Sequence, residues 1–244
     1  MTTAATPISK PVSGHPAPVA EHWWLLLVLV SVVAGFWPSF FNRLRAQDLS
    51  HSLHGFIATG WLLGLILQSW LIGRRERTWH RRVAMAMIPM AIAMIVTAVP
   101  MIQAILRTGQ QQPGFQPIAR MLVMYDVSTL LLFTGLLSLA LVSVRQPAVH
   151  RRALSATALV AIPPALARFF NGPLIGLDFT VSLHASFVLG YLILAWLIFD
   201  DRRRGVRDRV YPGTLAAIVG IEFLMAPVST TAAWITFTDT LIRP

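Results

Sequence analysis

The stretch "LHGFIATGWLLGLILQSWLIG", residues 53–73, runs its whole length without Asp, Glu, Lys or Arg. A hydrocarbon core of about 30 Å is crossed by about 20 apolar helical residues. The run therefore reads as a membrane-spanning helix, and that reading decides the fold. A basic turn, "RRERTWHRR" at 74–82, follows it, and then a second apolar run. The same alternation continues along the chain. Seven stretches qualify: 23–41, 53–73, 83–106, 121–144, 153–170, 179–199 and 213–237. They predict an all-α polytopic membrane bundle of about seven transmembrane helices, one lone helix plus three helical hairpins, forming a single domain over 23–244. Residues 1–22 are rich in Pro, Ala, Thr and Ser and predict a disordered cytoplasmic tail. Lys10 stands too far from the apolar run for a signal peptide, so the first helix is expected to be retained.

Composition agrees. The 244 residues are 55% hydrophobic and only 12% charged, with a mean hydropathy of +0.64; soluble domains carry about 25% charged residues. Cysteine is absent, which excludes disulfides, thiolate metal sites and thiol nucleophiles. The net charge of +10 does not predict nucleic-acid binding, because the aromatics lie in apolar runs without basic interleaving. The basic residues crowd beside apolar helices, where a lipid bilayer offers anionic headgroups. Lys10, Arg74, Arg75, Arg77, Arg81, Arg82, Arg145, Arg151, Arg152, Arg202, Arg203, Arg204, Arg207 and Arg209 fall on one side of the predicted spans. Arg43, Arg45, Arg107, Arg120, Arg168 and Arg243 fall on or near the other. The richer side is cytoplasmic by the positive-inside rule. The N-terminus is then inside and the C-terminus outside.

Two strings repeat weakly. "WLIGRRERTWHRRVAMAM" and "ALVSVRQPAVHRRALSAT" align at His80-Arg81-Arg82 and His150-Arg151-Arg152. These basic corners are expected to face lipid headgroups. The predicted fifth span carries Pro163-Pro164, which implies a kink whose freed carbonyls need partners from neighbouring helices.

Polar residues within the spans are the functional candidates, because an ionisable group inside a bilayer is costly and normally has a partner. His51 and His54 stand at the outer mouth of the second span, and His184 about 8 Å below the outer edge of the sixth. Asp126 and Arg168 are predicted at matching depth and expected to form a buried ion pair. Glu222 is expected near mid-bilayer as one step of a proton relay. His54 and His184 are expected to share one cofactor, haem b or a divalent metal, since neutral imidazoles facing across helices are good axial ligands. Gly55 and Gly60 would leave room beside His54, and Ser182 and Ser186 would orient His184. His80 and His150 lie too far along their helices to complete a second haem pair.

The string "LHGFIATGWLLGLILQSWLIGRRERTWHRRV" resembles a group of poorly characterised bacterial multi-pass membrane proteins, with a pattern of His-Gly, Trp, Gln, Leu-Ile and a basic loop ending His-Arg-Arg. "VHRRALSATALVAIPPALARFF" matches their second signature, with His150, Pro163, Pro164 and Arg168. The resemblance covers roughly residues 50–170 and implies a bacterial inner-membrane location without assigning a reaction. Two function classes follow. One is a redox or electron-transfer protein with a His-lined haem or metal site near the outer face. The other is a non-catalytic accessory, assembly or transport protein, packed against a larger membrane complex, in which the polar residues are structural. A seven-helix zinc hydrolase of the ceramidase and adiponectin-receptor kind is disfavoured, because the last span lacks the required histidine pair.

Overall fold

A computed structural model describes residues 21–46 and 49–243. The tail expected over 1–22 lies outside them except for Glu21 and His22, which belong to the first helix. The described chain is helical throughout: α1 (Glu21–Phe36), α2 (Leu49–Gly73), α3 (Arg77–Gln111), α4 (Gln116–Val142), α5 (Pro147–Ala156), α6 (Ile162–Asn171), α7 (Phe179–Arg203), α8 (Val210–Ser229) and α9 (Ala232–Leu241). Six spans are long and apolar enough to cross a membrane, with α5 and α6 counted as one from Pro147 to Asn171. Helix α1 is apolar but shorter, at 16 residues.

Local chemistry explains where the helices depart from the predicted runs. The first ends at Phe36 rather than 41, because Pro38 disfavours helical geometry in the residue before it. The last apolar run is two helices. Pro227 lies in the final turn of α8, and Thr231 then caps α9 by accepting the backbone N–H of Trp234 at 3.2 Å. Helix α9 folds over the α3–α4 end of the bundle. Trp234 Nε1 donates to the Arg120 carbonyl, Arg120 pairs with Asp239 at 3.0 Å, and Gln103 Nε2 donates to the Leu241 carbonyl.

Helix α2 packs against α1 and α3, α3 against α4, α4 against α8, and α8 against α7. The α5–α6 span crosses the middle. Its α5 half lies against α4 and α8, and its α6 half against α1 and α7. It is the most buried span: 56% of its apolar window is enclosed, against 22–39% for the others. Small residues make this possible, since they let helix backbones approach. Ala153, Ala156, Ala158 and Ala165 are all buried. At the α1–α6 crossing a Cβ on Gly35 would sit 2.0 Å from the Ala165 carbonyl oxygen, so only glycine fits.

The expected kink is present as a break between α5 and α6, bridged by a short 3-10 turn, Leu159–Ala161. Pro164 has no N–H for the Val160 carbonyl four residues back. The Tyr125 hydroxyl supplies that bond at 2.7 Å from α4. Trp61 Nε1 donates to Thr157 Oγ1 at 3.0 Å, tying α2 to the same break. Around it Trp61 meets Phe133 and Tyr125 meets Phe187 edge-on, at ring separations of 5.3 and 5.8 Å.

Candidate functional site

The first half of α7 and the second half of α8 carry three polar side chains on one line. His184 lies five residues into α7, and Tyr191 two turns further on. Glu222 lies seven residues before the end of α8. Because α7 and α8 run in opposite directions, these positions meet. Glu222 Oε1 accepts from His184 Nδ1 at 2.8 Å, and its Oε2 accepts from the Tyr191 hydroxyl. Glu222 is half-buried, whereas the His184 side chain is 58% exposed on the outside of the bundle.

A carboxylate acceptor calls for the proton on Nδ1, and in the neutral ring this leaves the lone pair on Nε2. That nitrogen is available to a metal, a haem iron or a proton donor. Ser182 and Ser186, expected to orient the ring, do not. Both are fully buried, and their hydroxyls donate to the Leu177 and Leu183 carbonyls. Glu222 takes that role. Its partnership was hidden by the sequence boundary at 237, which placed it at mid-depth; the break after Ser229 brings it to the level of His184.

His54 is engaged elsewhere. Its Nδ1 lies 3.0 Å from Thr97 Oγ1 on α3. Thr97 gives its own proton to the Ala93 carbonyl at 2.7 Å, so it accepts from His54. The space expected at Gly55 is filled by the Phe40 ring, which a Cβ there would meet at 2.3 Å. His54 thus ties α2 to α3 and His184 ties α7 to α8, and the structure does not bring the two onto one hydrogen-bonding partner.

Asp126 and Arg168 are close enough for their charges to interact, but they form no ion pair within 4.0 Å. The expected buried pair is corrected in this respect. Arg168 is exposed, donates from Nη1 to the Pro164 carbonyl at 2.9 Å, and lies over the Phe36 ring at 4.6 Å. Asp126 stands ten residues into α4, about 15 Å along it and deeper than expected, because α4 starts at Gln116 rather than 121.

The basic corners divide. Arg81 and Arg82 are exposed, as a headgroup-facing corner requires, and the Arg82 guanidinium lies 5.0 Å from the Trp79 ring. Gln68 Nε2 donates to the His80 carbonyl at 3.1 Å. His150 Nδ1 donates to the Ala140 carbonyl at 2.8 Å. Arg152 is not headgroup-facing: it is 2% exposed and makes a two-pronged pair with Asp201, Nε to Oδ2 at 2.6 Å and Nη2 to Oδ1 at 2.5 Å. Asp208 Oδ2 lies 2.9 Å from the same Nε, off the N–H axis. Arg151 is exposed but pairs with Glu21 at 2.8 Å, and Ser155 donates to the same carboxylate at 2.8 Å. These carboxylates lie far from residues 150–152 in sequence, and only the central position of α5 makes them neighbours.

Among the described residues no group of three or more His, Asp or Glu is arranged to hold a metal ion. Compared with known protein families, with curated proteins and with solved structures, the chain matches none of them.

Proposed function

We propose that this is an integral membrane protein that binds a b-type haem or a divalent metal through His184, at the outer half of its α7–α8 surface and beside a partner chain. The Glu222–His184 hydrogen bond of 2.8 Å carries this reading. A carboxylate on the far ring nitrogen fixes a ligating imidazole and raises its basicity. The exposed imidazole stands among exposed Val181, Val188 and Phe223. A polar ring turned toward hydrocarbon is costly unless it is ligated or covered. His54 is assigned a helix-tying role in this proposal, and Glu222 an orienting role rather than a place in a continuous proton path.

Seven passes, a cytoplasmic N-terminus and a bacterial inner membrane belong to the same proposal. The uneven division of basic residues, the apolar α1 and the resemblance over residues 50–170 support them. Single cysteines introduced into this cysteine-free chain test the orientation. Thr78→Cys should resist an impermeant maleimide on intact cells and Gln111→Cys should react; reversed labelling would move His184 to the cytoplasmic side.

Absorption spectra of purified protein, oxidised and dithionite-reduced, with metal analysis of the same sample, test the ligand. A Soret band or stoichiometric metal should be present, lost in His184→Ala, weakened in Glu222→Gln and kept in His54→Ala. A sample with neither haem nor metal overturns the proposal in favour of a non-catalytic accessory or transport protein. The continuous packed core, with His54 and His150 hydrogen-bonded to neighbouring helices, favours that second reading.

A further inference from the structure

Helices α1 and α2 part between His22–Leu26 and Leu63–Trp70, leaving a groove of about 420 Å³ open to the outside of the bundle. Its walls are apolar, formed chiefly by Trp23, Leu26, Leu63, Leu67 and Trp70. At the end nearer the basic corners, the His22 backbone N–H donates to Ser69 Oγ at 3.0 Å, holding the start of α1 against α2. The Arg74 guanidinium lies 4.5 Å from the ring of Trp70, which lines the groove. Arg75 and Arg77 follow, and all three are exposed. Among the described residues none of the three forms an ion pair, whereas Arg151, Arg152 and Arg204 all have carboxylates.

We propose that this groove binds one anionic phospholipid, with an acyl chain along Leu26, Leu63 and Leu67 and the headgroup phosphate at Arg74. The two halves of the site ask for the two halves of such a molecule. The trough is apolar along its length, and the turn beside it carries three arginines to one carboxylate, Glu76, with no ion pair among the described residues holding any of the three. Trp23 and Trp70 supply rings of the kind that settle at the boundary between chain and headgroup. A zwitterionic lipid would bring its own cation to three arginines and gain less. A partner helix would fill the trough but leave the three charges unanswered. The inference does not depend on His184, which lies on other helices.

The test is native mass spectrometry of the full chain released from nanodiscs containing equal phosphatidylglycerol and phosphatidylcholine. One phosphatidylglycerol per protein should be retained in preference to phosphatidylcholine by about fivefold, the attraction expected of one engaged arginine. Arg74→Gln should bring that ratio close to one. Leu63→Trp, at an exposed position where a larger ring fills the trough without touching the core, should abolish retention while circular dichroism stays unchanged. Millimolar inorganic phosphate should not displace the lipid. Equal retention of both lipids by the unaltered protein, retention unaffected by Leu63→Trp, or displacement by phosphate alone would each overturn the proposal.

Discussion

His80-Arg81-Arg82 opens α3 on the perimeter of the bundle, while His150-Arg151-Arg152 opens α5 on the way to its centre. In the first corner both arginines are exposed and Arg82 lies over a tryptophan. In the second, Arg152 is enclosed between Asp201 and Asp208, and Arg151 reaches Glu21. The triplets are identical, so the difference comes from the span that follows each. After the first comes the long α3, with large apolar side chains such as Met85, Ile88 and Ile92 exposed. After the second comes an alanine-rich span that can lie in the middle. A motif's chemistry is thus set by where the next helix packs.

The largest expected effect would break this contrast at its centre. Arg152→Ala leaves two carboxylates facing a buried void, and losing one partner of a buried pair costs about 3–5 kcal/mol. Urea or SDS unfolding followed by tryptophan fluorescence should show that loss, and a change as small as that of a surface arginine would refute the buried network. Gly35→Ala tests why α5–α6 can occupy the middle. It forces α1 away from the Ala165 carbonyl, and overpacking of this kind costs about 1–3 kcal/mol. Tyr125→Phe keeps the ring but deprives the part-buried Val160 carbonyl of its donor; an orphaned carbonyl costs up to about 1–3 kcal/mol when fully buried, and a loss within that range should be visible in the same unfolding assay. A double-mutant cycle on Asp126→Asn and Arg168→Gln should give a coupling smaller than the cycle on Asp201 and Arg152, since the first pair interacts across a gap. At the small end, Arg82→Ala in the perimeter corner should shift stability by no more than about 0.5 kcal/mol.

The membrane-helical class was legible because burying a backbone in lipid demands long apolar helices, and runs such as 53–73 announce themselves. The proline break was legible too, since Pro163-Pro164 must free carbonyls. What supplies those carbonyls was not: nothing in "MLVMYDVST" says that Tyr125 rather than Asp126 faces the break. The Glu222–His184 contact was hidden by a misplaced helix end, because hydropathy does not register the cap at Thr231. Arg152 was misjudged because its carboxylates arrive from α7 and from the loop that follows it, and loop basicity was read without knowing which helix is central. In each case the composition of a span was readable, and the identity of its neighbours was not.

The perimeter helices also differ in length. At 1.5 Å per residue, α1 is about 24 Å long and α3 about 52 Å. The ends of α3, residues 77–82 and 107–111, are polar, and the apolar run between them, 83–106, is about 36 Å long, which fits a core of about 30 Å with some tilt, whereas the whole of α1 is shorter than that core. A helix as short as α1 crosses such a core only where the lipid thins or its flanking residues snorkel, at a cost of fractions of a kcal/mol per Å of mismatch. If α1 spans the membrane, the protein's placement among membranes should therefore respond to acyl-chain length, with thin bilayers easing the strain on the α1 side.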